Sequence, residues 1–546
     1  MIGRYIKDYL IAGVIFLSSV VSAQQIADDV YWVYFTDKDG NGYEISQPDL
    51  FLSERSVNRR AWQGLGVDQT DEPVTRAYVD ELKSMGAEIK HISRWLNGVA
   101  IINATGELYE QILEKPFVDT IPWEPETDEI YFPPRPEGGR FEPPLSSDPA
   151  YDYGVAREQI LLTETEALHE KGYTGSGVWI GILDTGFGDV DSLPSFESMI
   201  SQGRLLGARN FVNDSSVFRV MDHHGMYVLS IIGAEWDGNM IGTAPHASFF
   251  LSMTENIHQE TRIEEIAWIE AAEYMDSLGC DVFNTSLGYS DFDGTRFDYT
   301  YSDMDGKTTF ISRAASMTAS KGIICCVSAG NEGNTAWLHI TAPSDAFDIL
   351  GVGAVDSTAL IASFSSRGPS SDGRIKPDIS AMGRLTGIQY SNGGLARGSG
   401  TSFSSPLMAG SMASLWQAYP EFPATELMQM VRQTGNKIHH PDNIYGYGIP
   451  SFSLAYLMIR EIQNQSAQGH MLVYPNPAKE NIKILLPGEP PGEYLLHVYD
   501  MNGRMVQSRQ VALPGQVTIP ASLSGGIYIL EVSTSTNVFR NLIIVE

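Results

Sequence analysis

The chain has 546 residues, of which 43% are hydrophobic and 19% charged, and it carries a formal net charge of −31. A chain of this length is too long for one hydrophobic core, so we expect about two to four domains. The charge excludes nucleic acid as a partner, because a polyanion would be repelled, and it argues equally against a basic patch that binds membrane surfaces.

The first residues have the pattern of a cleaved secretory signal peptide. Arg4 and Lys7 supply a basic start, a short apolar run follows, and small residues end the segment at Ala23. The apolar run is shorter than the roughly 20 residues that a membrane span requires. We therefore predict a signal peptide over residues 1–23 and no transmembrane segment in the mature chain.

The next segment, residues 24–125, predicts a small two-layer unit of alternating strands and helices. Its predicted strands and helices are, in order, VYWVYFTD, TRAYVDELKSMG, SRWLNGVAIIN, GELYEQILEK and VDTIPW. Residues 126–150 are crowded with prolines, glycines and acidic residues and cannot bury a core, so they predict an extended linker. We expect Arg135 and Arg140 in this linker to be exposed and easily cut, which places the maturation site there.

The pattern changes over residues 151–462, where short continuous apolar runs such as GVWIGILD and GIICCVSAGN alternate with helical stretches. Buried parallel strands have such unbroken apolar runs, and the helices between them supply the crossovers. This segment predicts a large doubly wound α/β domain with a mostly parallel sheet. The last segment, residues 468–546, alternates apolar and polar residues, with turns at Asn502-Gly503 and Gly525-Gly526, and predicts an antiparallel β-sandwich.

The three cysteines, Cys280, Cys325 and Cys326, are too few for a disulfide scaffold. Cys325 and Cys326 are adjacent and alternate faces of a strand, so at most one of them could pair with Cys280. No cysteine spacing resembles a zinc site. We expect all three to be small, buried, apolar side chains.

Three short segments of the α/β region place chemically useful side chains at strand ends, where ligand sites form in open sheets. Asp184 ends an apolar strand, the pair His223-His224 stands at the front of a predicted helix, and Ser402 follows a glycine-rich turn at the start of another helix, with Pro406 in its first turn. Each residue alone is better explained as a turn former or a helix cap. Together, the order Asp, His, Ser on a parallel sheet favours a catalytic triad.

The segments ILDTG, HHGMYV, SAGNEG and GTSFSSP resemble, in chain order, the four signature segments of the subtilisin-like serine proteases. The resemblance implies a subtilisin-like α/β fold in which Asp184, His224 and Ser402 form the catalytic triad. His224 rather than His223 is assigned because only His224 precedes a glycine, as in the family's His-Gly-Thr pattern. The departures from the family pattern, none of them a catalytic group, are Met226, Tyr227, Phe403 and Ser404.

The chemistry of peptide hydrolysis requires these residue types. A serine hydroxyl is a poor nucleophile until an imidazole takes its proton, and a carboxylate holds the imidazole in the right tautomer. Donors must already point at the carbonyl oxygen, where negative charge develops. Asn331, in the loop after IICCVSAG, is the implied side-chain donor, with the Ser402 N–H as the second donor. A turn role for Asn331 is the weaker alternative.

The resemblance also implies two walls of a substrate groove. The segment NTSLG matches the edge strand that pairs with an extended peptide, and the segment SAG forms the other wall of the main specificity pocket. The alternative, that these are plain core strand ends, stays open. The predicted substrate-binding residues are Ser286, Leu287, Gly288, Ser328, Ala329 and Gly330.

The resemblance implies no required cofactor. Structural calcium occurs in many relatives, but no calcium ligands are assigned here. The candidates are acidic residues of one segment, for which a solvated loop is the favoured interpretation over a calcium site. These candidates are Asp293, Asp298, Asp303 and Asp305.

The flanking segments resemble accessory domains of secreted subtilases. Residues 24–125 resemble the inhibitory propeptide of a secreted bacterial branch, so the chain's own propeptide is an expected partner. The C-terminal segment, with YPNP, MNGR and GGIYIL, resembles the type IX secretion sorting domain. This implies the type IX secretion machinery as a partner and a secreted or surface-attached protein, although the ending RNLIIVE lacks the usual closing lysines.

The sequence therefore predicts a secreted serine endopeptidase that is made as a zymogen and acts on protein or peptide substrates. A second interpretation, a catalytically inactive surface module that keeps the peptide groove for adhesion, is less favoured because all four catalytic groups are present. The acidic Ser-Glu-Asp relatives would need a glutamate in place of His224, which excludes them.

Overall fold

The structure is a computed structural model, and it describes residues 25–27, 30–125, 129–145, 151–213, 215–467, 471–474, 478, 481–486, 489, 492–513, 515–518, 523–534 and 537–545. The chain forms two compact units, Met1–Ser453 and Leu454–Glu546. The predicted signal peptide, residues 1–23, lies outside the described residues. None of the helices in the described part of the chain has the length and apolar character that a membrane crossing requires.

The first unit begins with a five-stranded antiparallel sheet, called here the N-terminal sheet. Its strands are β1 (Gln25–Ala27), β2 (Val30–Phe35), β3 (Glu88–Ser93), β4 (Gly98–Ile102) and β5 (Val118–Asp119). The accompanying helices are α1 (Glu54–Gln63), α2 (Arg76–Ser84) and α3 (Gly106–Leu113). The predicted strand SRWLNGVAIIN is wrong in its first half, because a turn precedes β4.

The rest of this unit is built on seven parallel strands in the order β14-β13-β12-β11-β6-β10-β7, which confirms the predicted doubly wound α/β fold. The seven strands are β6 (Trp179–Asp184), β7 (Leu205–Asn210), β10 (Ser248–Met253), β11 (Val282–Thr285), β12 (Ile324–Ser328), β13 (Leu350–Val355) and β14 (Ile379–Met382). Two separate antiparallel pairs are formed by β8 (Glu235–Trp236) with β9 (Met240–Ile241) and by β15 (Thr386–Gln389) with β16 (Leu395–Gly398). The helices are α4 (Arg157–Leu162), α5 (Glu166–His169), α6 (Glu197–Ser201), α7 (His224–Gly233), α8 (Ile263–Leu278), α9 (Phe310–Ser320), α10 (Thr401–Ala418) and α11 (Ala424–Gln433).

The parallel sheet is covered on both faces by helices. The α8 and α9 helices pack together on one face, and α7 and α10 pack together on the other. The central strands β11, β12 and β13 are buried throughout, which accounts for their mostly apolar sequences. All carboxyl ends of the parallel strands lie at one edge of the sheet, so side chains that follow these strands are brought close together.

The N-terminal sheet packs against α8 and α9. The ring centroids of Trp32 and Phe310 lie 5.7 Å apart, and Arg313 donates to the hydroxyl of Tyr34 at 2.6 Å. Near the Trp32–Phe310 contact, three arginines from α1 and from the turn between β3 and β4 pair with the carboxylate of Asp276 in α8, which is buried. These arginines are Arg59, Arg60 and Arg94.

The linker contradicts one sequence prediction. Arg135 is exposed as expected, but the side chain of Arg140 is only 5% exposed. Its guanidinium is 3.1 Å from Asp281 and lies 4.1 Å from the ring centroid of Trp416. Asp281 directly precedes β11, so this part of the linker lies at the amino edge of the parallel sheet. The expectation that Arg140 is exposed and easily cut is therefore wrong.

Helix α12 (Phe452–Ala467) is followed by two antiparallel sheets in the order β17-β18-β21 and β20-β19-β22-β23, which confirms the predicted sandwich. Their strands are β17 (Leu472–Tyr474), β18 (Asn481–Leu485), β19 (Gly492–Asp500), β20 (Met505–Leu513), β21 (Gly515–Thr518), β22 (Gly526–Ser533) and β23 (Val538–Val545). Side chains from both sheets, including Ile484, Leu496 and Val532, form one core. Residues 475–477 of the YPNP segment lie outside the described residues.

All three cysteines are buried and unpaired, as expected for small apolar side chains. Burial raises the pKa of Cys280 to about 12. A thiol with such a pKa stays protonated and unreactive at neutral pH.

Candidate active site

Asp184 is the last residue of β6, and its side chain is completely buried. Its Oδ1 accepts a hydrogen bond from His224 Nδ1 at 2.7 Å and another from the N–H of Thr185 at 2.8 Å. The backbone carbonyl of Asp184 accepts from the N–H of Thr254, which directly follows β10. The carboxylate is therefore fixed at the carboxyl edge of the sheet and aimed at one nitrogen of the imidazole.

His224 is the first residue of α7, and its side chain is 29% exposed. Its N–H donates to Asp222 Oδ1 at 2.8 Å. Burial lowers the pKa of His224, but the Asp184 carboxylate and the hydrogen bond to it outweigh burial, so the pKa is raised above its usual value. The ring therefore combines a fixed Nδ1 with access to solvent.

The neighbouring histidine, His223, lies beside Asp189 and Gly188 and not beside Asp184. His223 precedes α7, and its Nδ1 is 4.0 Å from Asp189 Oδ2. A Cβ on Gly188 would lie 2.4 Å from this Nδ1, so the ring packs against that glycine rather than against Asp184. The structure thus brings His224, and not His223, to the predicted carboxylate.

Ser402 lies in the first turn of α10, where backbone N–H groups are not used by the helix. Its hydroxyl donates to the carbonyl of Ser286 at 3.1 Å. The ring of Phe403 lies 5.8 Å from that of His224, so the start of α10 adjoins the imidazole. The prediction that Pro406 lies in the first turn is wrong, because α10 begins at Thr401.

The position of Pro406 has a local consequence. Proline has no N–H, so it cannot bond to the carbonyl four residues earlier, which is that of Ser402. This carbonyl instead accepts from Ser286 Oγ at 2.9 Å. The pair of bonds between Ser286 and Ser402 joins the end of β11 to the start of α10.

Asn331 follows β12 after a short turn, and its amide orientation is set by Thr401. Its Oδ1 accepts from the Thr401 N–H at 2.9 Å and from Thr401 Oγ1 at 3.1 Å. Because the oxygen is held by these donors, the NH₂ group faces away from Thr401 and keeps its donors for another acceptor.

The two predicted substrate walls lie side by side next to Ser402. Ser328 Oγ donates to the Leu287 carbonyl at 3.1 Å, which joins the walls. The Gly330 N–H donates to Thr401 Oγ1 at 3.2 Å. The structure therefore brings the predicted substrate-binding residues together with the predicted triad. These residues are Ser286, Leu287, Gly288, Ser328, Ala329 and Gly330.

The aspartates considered for calcium each accept a hydrogen bond from a backbone N–H. Asp298 accepts from the Phe292 N–H, Asp303 from the Thr300 N–H and Asp305 from the Lys307 N–H, while Asp293 accepts from the Glu260 N–H. The bonds of Asp298, Asp303 and Asp305 are local and typical of a solvated loop, whereas that of Asp293 joins two loops. Among the described residues, these four do not form a group of carboxylates with ligand oxygens within 4.8 Å of one another.

Other carboxylates do converge near β10. Among the described residues, ligand oxygens of Glu255, Glu260 and Glu264 lie within 4.8 Å of one another. Burial and neighbouring carboxylates raise the pKa of Glu255 to about 8 and that of Glu264 to about 9. Three carboxylate oxygens fall short of the about six to eight oxygen ligands that calcium takes.

Sequence reasoning missed two residues that hold the site. Asp222 caps the N–H of His224 and also accepts from the hydroxyl of Thr185. Asn284 accepts from Ser405 Oγ at 2.8 Å and donates to Ser286 Oγ at 2.9 Å, so it links β11 to α10. Two sequence features could have identified them. Asp222 directly precedes the histidine pair, and Asn284 opens the NTSLG segment.

Comparisons with known proteins agree with this architecture. The subtilase family pattern (Peptidase S8) matches residues 175–448, and the Peptidase S8 propeptide domain of Bacteroidota matches residues 30–133. A secretion system C-terminal sorting domain matches residues 472–546. The sorting domain indicates secretion or attachment at the cell surface.

Individual relatives share the central part of the chain. Serine protease AprX of Bacillus subtilis (strain 168) is 30% identical over 326 residues, covering 53% of this chain and 70% of that protein. Subtilisin E of the same strain is 27% identical over 301 residues, covering 54% of this chain and 68% of that protein. The solved structure of MycP3 protease from the type VII (ESX-3) secretion system is 20% identical, with a TM-score of 0.43, and covers 58% of this chain and 93% of that one.

The subtilase pattern spans about half of the chain, and it includes the strand ends, the histidine and the serine described above. The chain therefore belongs to the subtilase family and is a subtilisin-like serine peptidase with a propeptide domain and a C-terminal sorting domain.

Proposed function

We propose that this protein is a secreted endopeptidase that hydrolyses peptide bonds through Asp184, His224 and Ser402. The observation that carries the proposal is the 2.7 Å hydrogen bond between Asp184 Oδ1 and His224 Nδ1 beside the start of α10. Because Nδ1 donates to the carboxylate, Nε2 is left as the base.

The reaction follows from these positions. The Ser402 hydroxyl turns from the Ser286 carbonyl towards His224, which takes its proton as the oxygen attacks the substrate carbonyl. The NH₂ group of Asn331 and the N–H of Ser402 stabilise the resulting oxyanion, and the N-terminus of α10 adds a favourable field. His224 then gives the proton to the leaving amine, and water releases the acyl group by the same route.

We further propose that the chain is made as a zymogen. The propeptide domain, 24–125, is held against α8 and α9 of the peptidase domain, 151–462, by the rings and arginines described above. Cleavage within the linker, 126–150, would separate them. Secretion would use the signal peptide, 1–23, and the sorting domain, 468–546, with the type IX secretion machinery as the partner.

A fluorophosphonate probe tests the proposal, because it reacts with an activated serine. The secreted, matured protein is labelled, and the modified peptide is identified by mass spectrometry. We expect a label on Ser402 that is abolished by His224→Ala and kept by the matched control His223→Ala. Absence of a label after propeptide removal would contradict the proposal and favour an inactive peptide-binding module.

A further inference from the structure

The first half of the linker is attached to the propeptide domain. The N–H of Val67 donates to the carbonyl of Tyr131 at 2.7 Å, and the N–H of Tyr131 donates back at 2.8 Å. A few residues later, the guanidinium of Arg135 lies 4.6 Å from the ring centroid of Trp62. Trp62 and Val67 both belong to the propeptide domain, so the linker up to Arg135 is held by that domain.

The second half of the linker is attached to the peptidase domain instead. The guanidinium of Arg140 pairs with Asp281 and lies 4.1 Å from the ring centroid of Trp416. Two residues later, the carbonyl of Glu142 accepts from the side-chain amide of Gln417 at 3.2 Å. The partners of this half all lie in the peptidase domain. The attachment of the linker therefore changes from one domain to the other between Arg135 and Arg140.

The short segment between these two halves is exposed. Glu137, Gly138 and Gly139 are exposed and make no hydrogen bond or ion pair with any part of the chain that the structure describes. A Cβ added to Gly138 would meet no atom within 4 Å. Exposed backbone with small or polar residues is the preferred site of proteolytic cleavage. Residues 136–139, called here the exposed segment, therefore offer a protease an accessible stretch of chain.

The charges at the amino edge of the sheet favour a cut before Arg140. The buried carboxylate of Asp281 accepts from two cations, Arg55 of the propeptide domain and Arg140 of the linker. Release of the propeptide domain removes Arg55, so of the two cations only Arg140 can remain. A cut after Arg140 would remove both and leave a buried carboxylate without either cation, which is strongly unfavourable.

The exposed segment also lies at the opposite edge of the sheet from the triad. Asp281 accepts from the N–H of Trp179, the first residue of β6, whereas the last residue of β6 is Asp184 of the triad. The six residues of β6 span about 17 Å. A residue two positions before Arg140 reaches at most about 7 Å from it. While Arg140 is held, the exposed segment cannot enter the active site of its own molecule.

We propose that the maturation cut falls within the exposed segment, residues 136–139, and is made by a second copy of this protease. This inference rests on the proposed function, because it takes Ser402 of the second copy as the attacking group. Hydrolysis adds one water across a peptide bond of the segment, so the propeptide side ends in a carboxylate and the peptidase side begins with an amine. Arg140 stays on the mature enzyme and neutralises Asp281.

The first N-terminus that forms during maturation tests the position of the cut. Mass spectrometry of the earliest matured protein should find a chain that begins at one of residues 137–139. A first N-terminus at any other residue overturns the assignment of the cleavage site.

A catalytically inactive chain tests whether the cut is made between molecules. Uncleaved Ser402→Ala protein should stay intact by itself and be cut in the exposed segment when a trace of matured wild-type enzyme is added. The half-time of wild-type maturation should lengthen in proportion to dilution. Resistance of the Ser402→Ala chain to added enzyme, or a half-time that does not change on dilution, overturns cleavage by a second copy.

A pair of variants tests whether Arg140 stays on the mature enzyme. Arg140→Ala should lower the Tm of the mature, fluorophosphonate-inhibited enzyme by several degrees, because Asp281 loses its remaining cation. Arg140→Lys keeps the charge and should give an intermediate Tm, which preserves the test if the alanine variant does not fold. Arg135→Ala is the matched control and should leave this Tm unchanged, because Arg135 leaves with the propeptide domain. Wild-type Tm values in both Arg140 variants overturn its role.

The outcomes separate the cleavage site from the proposed function. A protein that is cut in the exposed segment but takes no fluorophosphonate label on Ser402 contradicts the proposed function and cleavage by a second copy, while the position of the cut stands. A protein that is labelled on Ser402 but begins at a different residue overturns the cleavage site alone.

Discussion

Charged side chains lie at both edges of the seven-stranded sheet, but their surroundings differ. At the carboxyl edge, Asp184 faces one imidazole, and His224 is 29% exposed. At the amino edge, Asp281 accepts from Arg55, Arg140 and the backbone N–H of Trp179. The partly exposed imidazole of His224 can therefore exchange a proton. By contrast, the carboxylate of Asp281 is bonded through both oxygens and joins Arg55, Arg140 and Trp179, which come from different parts of the chain.

The pKa values express the same difference. Burial raises the pKa of Asp281, but Arg55 and Arg140 outweigh burial and hold it below its usual value. Burial likewise opposes the charged form of Asp276, and the arginines of the propeptide domain again lower its pKa. Pairing, and not burial alone, therefore decides whether a carboxylate of this protein stays charged.

The largest expected effect is at the carboxyl edge. Asp184→Asn should lower kcat/KM by about 10⁴-fold, because the amide cannot hold His224 in the tautomer that leaves Nε2 as a base. The Asp184 charge raises the pKa of His224, so its removal should move the acid limb of the pH–rate profile to lower pH. Peptide hydrolysis across a pH series measures both effects.

Asp222→Asn is the matched control, since Asp222 contacts the backbone of His224 and not its ring. We expect a much smaller loss for this variant. A loss of less than tenfold for Asp184→Asn would contradict the role of Asp184.

The next effect is at the amino edge. Asp276→Ala should destabilise the uncleaved chain by about 3–5 kcal/mol, because three buried guanidinium groups lose a shared carboxylate. Unfolding in denaturant, measured in a Ser402→Ala background that prevents self-digestion, gives the free energy. Glu270→Ala is the control, because the Glu270 side chain is 27% exposed and pairs with His91 and Arg209. If both variants lose the same free energy of unfolding, the buried ion pairs of Asp276 stabilise the chain no more than the partly exposed pairs of Glu270.

The third prediction returns to the carboxyl edge. Asn331→Ala should lower kcat by about 10²–10³-fold with little change in KM, because the donor acts on charge that appears only in the transition state. Asn331→Asp keeps an acceptor for Thr401 but lacks the NH₂ donor, so its kcat should fall as well. Full activity in Asn331→Asp would show that Asn331 acts only through Thr401.

The carboxyl edge was largely predictable from sequence, because Asp184, His224, Ser402 and Asn331 each lie in a short contiguous segment that ends a strand or starts a helix. The amino edge was not. Asp276 and Arg59 are 217 positions apart, and no local pattern pairs them. Arg140 was predicted to be exposed because a proline-rich segment cannot form a core, yet its partner Asp281 lies 141 positions away.

The same limit explains why Asn284 was missed. Its partner Ser405 lies 121 positions away, so the two residues meet only in the folded chain. Local sequence patterns therefore predicted the strand-end groups, while pairings between distant elements needed the structure.

The smallest expected effect is on stability and concerns Glu255, a buried carboxyl group at the carboxyl edge of the sheet. Its carboxyl group is bonded to the hydroxyls of Tyr289 and Thr254. Its pKa is raised to about 8, so its protonated form is favoured in the folded chain. The stability that it contributes is present below its ordinary pKa and is lost as pH rises through about 8.

Between pH 5 and 8 the Tm of the Ser402→Ala chain should therefore fall, and Glu255→Gln should reduce this fall by about 1–3 kcal/mol, which is a few degrees in a chain of this size. Glutamine is the neutral isostere and cannot titrate. Thermal unfolding across this pH range, with the exposed Glu158→Gln as a matched control, decides the question. If the curves of Tm against pH are parallel for Glu255→Gln and the parent, burial does not raise the pKa of Glu255. The two edges of the sheet would then not differ in how they treat a buried carboxyl group.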